Sequence, residues 1–123
     1  MNRVRLARRG EEEAAQYLQA QGYAILARNW RKREGELDIV ALEGDALAFV
    51  EVKTRRTLAY GAGEESIDSR KQAQLARLAQ RFIDENPNLS FRECRFDVVV
   101  VDMTVFPVQI RHYRNAFEPP ESE

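Results

Sequence analysis

The stretch from Gly35 to Arg55, GELDIVALEGDALAFVEVKTR, constrains the fold of this chain more than any other. Two short apolar runs flank the sequence Glu-Gly-Asp, and apolar runs joined by a glycine-containing turn are typical of a β-hairpin. If Gly44 and Asp45 are the turn residues, the numbers of paired residues sum to 89. The sequence therefore predicts a hairpin with a defined register.

Both faces of this hairpin are apolar over most of its length, because side chains alternate along a strand with a period of two. One face is predicted to carry Leu37, Ile39 and Ala41 opposite Val52, Val50 and Ala48. The other is predicted to carry, in pairs, Leu42 and Leu47, Val40 and Phe49, Asp38 and Glu51, and Glu36 and Lys53. A hairpin that is apolar on both faces is expected at the centre of a domain, covered on both sides.

Asp38, Glu51 and Lys53 are the candidate site residues of this hairpin. Directly opposed Cβ atoms lie ~5 Å apart, so the two carboxylates could converge on one divalent cation. Without a cation, their repulsion would raise the pKa of one of them. Lys53 follows Glu51 by two residues and adds a positive charge on the same side. A buried salt-bridge cluster at a strand end is the alternative interpretation.

The rest of the chain supplies two predicted helices and three further predicted strands. Helical spacing of apolar residues predicts helices at about 4–21, ended by Gly22, and at 69–85. Strands are predicted at 23–30, at 95–102 and at 108–114, with the 95–102 strand parallel to the strand of Glu51. The order α-β-β-β-α-β-β predicts an α/β sandwich in which one mixed sheet is flanked by helices.

Two charged residues of the predicted helices are candidates for the same site. Glu11 lies on the apolar stripe of the first helix, where a carboxylate needs a partner. It is either a third ligand near Asp38 or one half of a salt bridge to an arginine. Lys71 lies in the first turn of the second helix, where the helix dipole disfavours a cation unless an anion is near. The alternative for Lys71 is a solvated side chain.

A basic run precedes the hairpin and is predicted to be a charged loop. It contains one tryptophan, Trp30, which would suit base stacking on opened or single-stranded DNA or would instead be anchored in the core. Phosphate contacts are expected from cations in this run and around the candidate site, namely Arg28, Arg31, Lys32, Arg33, Arg55 and Lys71.

Composition limits the class of protein. A chain of 123 residues with 44% hydrophobic residues suits one domain with a real core. The sequence predicts neither a membrane span nor a signal peptide. One cysteine, Cys94, predicted to be a packed thiol, fits a reducing cytoplasm. With a single histidine, His112, expected to be an ordinary strand residue, a structural zinc site is not expected.

The hairpin motif resembles the PD-(D/E)xK motif of restriction-endonuclease-like nucleases. The longer pattern resembles the YraN-type family of small bacterial proteins, which is in turn similar to archaeal Holliday-junction resolvases. That pattern comprises Gly10-Glu11, Gly35-Glu36-x-Asp38, Phe49 to Arg55, Lys71 and Arg95-Phe-Asp97. The resemblance covers residues 10–117 and implies a restriction-endonuclease-like core over residues 1–117, followed by a flexible acidic tail at 118–123.

The resemblance implies a metal-dependent endonuclease that hydrolyses DNA phosphodiesters, with structured or branched DNA as a candidate substrate and a homodimer as a candidate assembly. Asp38, Glu51 and Glu11 would bind Mg²⁺ or Mn²⁺, which prefer oxygen ligands. Lys53 would orient the attacking water or stabilise charge on the phosphate. Two other classes stay open, because fold does not imply function: a catalytically silent nucleic-acid-binding module, and a structural or interaction protein with an ion-pair cluster.

Overall fold

A computed structural model describes residues 3–56 and 67–119, with two helices and five strands in the predicted order within these ranges. The elements are α1 (Arg3–Ala20), β1 (Ala24–Lys32), β2 (Gly35–Glu43), β3 (Ala46–Arg55), α2 (Ser69–Glu85), β4 (Glu93–Asp102) and β5 (Gln109–Phe117). The predicted surface loop after Arg56 and the tail beyond Pro119 lie almost wholly outside the described residues. Neither described helix is long and apolar enough to cross a membrane.

The five strands form one sheet in the order β1-β2-β3-β4-β5. Strands β3 and β4 are parallel, as predicted, and all other neighbours are antiparallel. The register of the central hairpin is confirmed, since Leu42 pairs with Leu47 and Ile39 pairs with Val50. Gly44 occupies the turn with φ +59, a conformation that disfavours most side chains. The mixed α/β sheet and its element order are compatible with a restriction-endonuclease-like core.

Each helix covers one face of the sheet. Helix α1 packs its buried residues Ala14, Ala15 and Leu18 on the face that carries Ile39, Ala41, Val50 and Val99. Helix α2 packs Leu75, Leu78 and Phe82 on the face that carries Val40, Leu47 and Phe49. The prediction that the hairpin is covered on both sides is confirmed.

The predicted alternation of β2 is wrong at its first residues. Leu37, 2% exposed, packs with the α2 cluster, although the prediction placed it beside Ile39. Pairing between β2 and β3 runs no further than Ile39 and Val50. Beyond this point the N–H of Val52 donates to Oδ2 of Asp38 at 2.9 Å, so a side chain replaces the backbone ladder. The alternation therefore breaks at Asp38, where the ladder ends.

The segment predicted as a charged loop is also wrong, because it continues β1. Arg31 pairs with Glu36 and Lys32 pairs with Gly35, which leaves only residues 33–34 for the turn. The ring of Trp30 meets that of Phe82 edge-on, with 5.3 Å between ring centroids. Of the two interpretations of Trp30, anchoring in the core is the one observed.

Two further predictions concern single residues of β4 and β5. Cys94 is exposed, so the prediction of a packed thiol is wrong. It lies in β4 two residues before the predicted start of this strand, at the edge of the core. His112 lies in β5 as predicted, but its side chain is 6% exposed and is part of a polar cluster.

This polar cluster is centred on Asp97, which is fully buried. Its carboxylate contacts Nε2 of His112 at 2.9 Å and accepts Nε of Arg95 at 3.1 Å, Tyr23 Oη at 3.2 Å and the N–H of Asn115 at 3.0 Å. Burial alone would raise the pKa of Asp97, but these hydrogen bonds hold it below its usual value. The cluster ties β4 to β5 and to the chain that leaves α1.

We expect Asp97→Ala to lower the free energy of unfolding by ~3–5 kcal/mol at pH 7, because it leaves buried cationic and polar partners uncompensated. Urea unfolding at pH 7 and pH 3 measures the effect. The native pKa of Asp97 is lowered, so its stabilisation is present above an unfolded pKa of 3.8 and is lost as the pH falls below that value. The difference from wild type should therefore shrink at pH 3. The matched control Asp84→Ala, on an exposed face of α2, should stay within ~0.5 kcal/mol of wild type; an equal loss in both variants would contradict the assignment.

Candidate active site

Helix α1 approaches β3 closely at Gly10. A Cβ atom built on Gly10 would lie 2.0 Å from Oγ1 and 3.1 Å from Cβ of Thr54. Only a residue without a side chain fits here, although glycine inside a helix costs ~0.5–1 kcal/mol relative to alanine. The close contact brings the next residue, Glu11, towards the sheet.

Three carboxylates meet at this point. Glu11 of α1 and Glu36 and Asp38 of β2 each present one oxygen, and these oxygens all lie within 4.8 Å of one another. All three side chains are partly buried. The prediction that Glu11 reaches Asp38 from the first helix agrees with this arrangement.

Glu51 joins the cluster from β3. A hydrogen bond between the Asp38 and Glu51 carboxyl groups contributes to the raised pKa of Asp38. Oε2 of Glu51 lies 3.5 Å from Nζ of Lys71, which therefore lies beside the acidic cluster. Lys53 follows two residues after Glu51 in an unbroken stretch of β3, so it lies on the same face of the strand.

Asn29 of β1 links two of the acidic residues. It has φ 53, a left-handed conformation that asparagine tolerates better than most residues. With its amide nitrogen facing the carboxylates, Asn29 donates to Oε1 of Glu36 at 2.8 Å and to Oε1 of Glu11 at 2.7 Å. Arg31 holds the other oxygen of Glu36, with 2.8 Å between Nη2 and Oε2. These contacts fix the orientation of Glu11 and Glu36.

The electrostatics of the cluster are unfavourable for four negative charges. Burial, followed by repulsion from Glu51, raises the pKa of Asp38 to about 8, against the effect of the Val52 N–H. Burial and the charge of Glu36 likewise raise the pKa of Glu11. At neutral pH Asp38 therefore holds a proton in the absence of another cation.

The geometry and donor set fit a hard divalent cation. Oxygen ligands on opposite sides of one Mg²⁺ ion lie ~4.2 Å apart, since each metal–oxygen bond measures ~2.1 Å. The three oxygens within 4.8 Å need to close by less than ~1 Å to share one ion. A cation would also replace the proton on Asp38 and relieve the repulsion. The residues that would hold it are Glu11, Glu36, Asp38 and Glu51.

The cations predicted to contact nucleic acid are mostly paired within the chain. Arg33 is exposed in the β1–β2 turn. The other pairs, with their N–O distances, are Arg28 and Glu12 (3.0 Å), Arg31 and Glu36 (2.8 Å), Lys32 and Glu85 (3.0 Å), Arg55 and Asp102 (3.4 Å) and Lys71 and Glu51 (3.5 Å). Their nucleic-acid contacts stay predictions, and such contacts would have to compete with these ion pairs.

Sequence reasoning did not assign two residues of the cluster, Glu36 and Asn29. Glu36 was predicted to face Lys53, which requires the alternation that breaks at Asp38. For Glu36, the available signal was its place in the motif Gly35-Glu36-x-Asp38. Asn29 carried a weaker signal, as a residue able to adopt positive φ inside an otherwise extended segment.

Comparison with known proteins gives a consistent result. Residues 10–101 match the family described as "Uncharacterised protein family UPF0102". A UPF0102 protein of Frankia casuarinae is 48% identical over 113 residues, which cover 91% of this chain and 95% of the relative. A UPF0102 protein of Pseudomonas aeruginosa is 44% identical, with 90% of each chain covered. The matched region contains every carboxylate of the cluster.

We expect Gly10→Ala to destabilise the protein by ~1–3 kcal/mol, the usual cost of overpacking. At an unconstrained helix position the same change would stabilise by ~0.5–1 kcal/mol, so the sign of the effect is diagnostic. Denaturant unfolding measures it. Thr54→Ala removes the nearest atom and should restore part of the loss in the double variant. A Gly10→Ala protein as stable as wild type would show that the close approach does not constrain α1.

The raised pKa of Asp38 predicts an unusual pH dependence of stability in metal-free buffer. The native pKa of about 8 exceeds the unfolded value of 3.8, so the stabilising contribution of Asp38 is complete below pH 3.8 and is lost as the pH rises through 8. Urea unfolding of wild type and Asp38→Asn between pH 5 and pH 9 tests this. The stability of wild type relative to the variant should fall with rising pH. Parallel profiles would contradict it.

Proposed function

This chain belongs to family UPF0102, and we propose that it is a divalent-metal-dependent phosphodiesterase that hydrolyses DNA. The observation that carries the proposal is the convergence of Glu11, Glu36 and Asp38, with oxygens within 4.8 Å of one another. The raised pKa of Asp38, at about 8, supports it, because the cluster favours a cation over four negative charges. The resemblance to restriction-endonuclease-like nucleases supports the choice of reaction.

In this proposal the carboxylates hold Mg²⁺ or Mn²⁺ at the point where β2 leaves β3. Such an ion would polarise a phosphoryl oxygen and lower the pKa of a bound water. Asp38 binds it as the anion, while its other oxygen stays anchored to the Val52 N–H. Asn29 and Arg31 keep Glu11 and Glu36 in position during substrate binding.

Lys53 and Lys71 supply the positive charge of the site. Lys53, on the face of β3 that carries Glu51, orients the attacking water or stabilises charge that develops on the phosphate. Lys71 contacts Glu51 and lies in the first turn of α2. A phosphate group would compete with Glu51 for this ammonium group, and the N-terminal end of a helix favours an anion.

The main alternative is that the cluster is an ion-pair network without chemistry. It is favoured by a specific observation, the contacts of Arg31 with Glu36 and of Lys71 with Glu51. These pairs leave Glu11 and Asp38 to be neutralised by protons, because Asn29 and the Val52 N–H carry no charge. The two interpretations differ in metal binding, since a network needs no ion. The homodimer stays a prediction in either case.

The test combines metal binding with cleavage. Isothermal titration calorimetry with Mn²⁺ should detect binding that is lost in Asp38→Asn and Glu51→Gln. A cleavage assay with Mn²⁺ over duplex, single-stranded, flapped and branched DNA should detect hydrolysis. Removing an electrostatic catalytic group costs ~10²-fold or more in rate, and we expect at least this loss in Glu51→Gln and Lys53→Ala.

Glu93→Gln is the matched control, because it removes an exposed carboxylate at the opposite end of the sheet. Its metal affinity and cleavage rate should equal those of wild type. Metal binding without cleavage of any of the four DNA forms would favour a silent binding module. Absence of both metal binding and cleavage in the wild type would refute the proposal in favour of the ion-pair network.

A further inference from the structure

An open cleft lies beside the carboxylate cluster, between α1 and β3. Its volume is about 360 Å³, and it is lined by Ala7, Glu11, Val52, Thr54 and Arg56. This volume is at the lower end of ~300–1,000 Å³, the range of small-molecule sites. Glu11 is the only residue that the cleft shares with the four carboxylates, so the cleft extends away from the cluster towards the first turns of α1.

The lining of the cleft combines three kinds of chemistry. The exposed Arg56 brings a guanidinium group, which suits a phosphate because its planar N–H donors match phosphate oxygens. Thr54 brings a hydroxyl group, which donates or accepts a hydrogen bond. Val52 and Ala7 bring apolar surface suited to a sugar or the flat face of a base. A ligand that matches all three carries a phosphate, a hydroxylated ring and an apolar face.

The position of the cleft restricts the ligand further. Glu11 belongs both to the cleft and to the cluster in which the oxygens of Glu11, Glu36 and Asp38 lie within 4.8 Å. A ligand in the cleft is therefore adjacent to the place where the scissile phosphate would be bound. We propose that the cleft between α1 and β3 holds the nucleotide next to the scissile phosphate, with the phosphate of that nucleotide on Arg56.

This inference rests on the proposed function for the identity of the strand, but binding in the cleft can be measured without cleavage. The probe is thymidine 5′-monophosphate, added with Ca²⁺ to ¹⁵N-labelled protein. The amide signals of Ala7, Val52 and Thr54 should shift. Thymidine without phosphate should shift them less, and inorganic phosphate alone should perturb mainly Arg56. At ~10 mM probe, a Kd of about 1 mM or tighter gives near-saturation.

Two variants with matched controls test the lining. Arg56→Gln should weaken binding of the mononucleotide ~10-fold or more, the scale of a charge-assisted hydrogen bond. Arg92→Gln, which removes an 86% exposed arginine near the β2–β3 turn, should leave binding unchanged. Ala7→Trp should fill the cleft and abolish binding, whereas Ala20→Trp, at the exposed end of α1, should not. Neither alanine is one of the carboxylates, so Mn²⁺ affinity should stay within ~2-fold in both variants.

The outcomes separate this inference from the proposed function. If Mn²⁺ binds and DNA is cleaved, but the mononucleotide leaves the cleft amides unmoved and Ala7→Trp cleaves at the wild-type rate, the cleft inference is overturned while the function stands. If the mononucleotide binds and Arg56→Gln weakens it, but no DNA is cleaved, the cleft is supported and the phosphodiesterase proposal fails.

Discussion

The hydrogen bond from the Val52 N–H to the Asp38 carboxylate, at 2.9 Å, is the interaction on which the candidate site depends. Up to Ile39 and Val50 the central hairpin is held by its backbone ladder. From Asp38 onward a side chain takes over, so β2 and β3 separate while β3 stays paired with β4 through Arg55. The gap between the strands is where Glu11 enters from α1 and Glu51 meets Asp38. A carboxylate with one oxygen held by the backbone is also an oriented ligand.

The register, the element order and the meeting of Asp38, Glu51 and Glu11 could be predicted, because they follow from burial. A strand covered on two faces tolerates only one register, and a one-residue slip would reverse every side chain. The side of Leu37, the course of Arg28 to Arg33 and the part of Asn29 could not be predicted. They depend on where a ladder ends and on one positive φ, and apolar periodicity reports neither.

The charge pattern explains why a chain with nineteen basic residues has a net charge of only −1. Several arginines and lysines around the sheet are held by acids of the same chain, such as Arg28 by Glu12 and Lys32 by Glu85. Exposed pairs of this kind contribute ~0–1 kcal/mol each, so a phosphate can displace the acid at little cost. Nucleic acid would therefore be bound by exchange of partners, and the affinity would depend strongly on salt.

Asp97 and Asp38 show how the same residue type serves two purposes in one sheet. Asp97 is fully buried, yet four donors from His112, Arg95, Tyr23 and Asn115 lower its pKa. Asp38 is less buried, yet its neighbours are mainly other acids, and its pKa rises to about 8. A carboxylate whose partners are supplied within the fold has all of its interactions satisfied and stabilises the structure. One whose partners are carboxylates lacks only a cation, and the fold keeps it at a cost in stability, which is typical of functional sites.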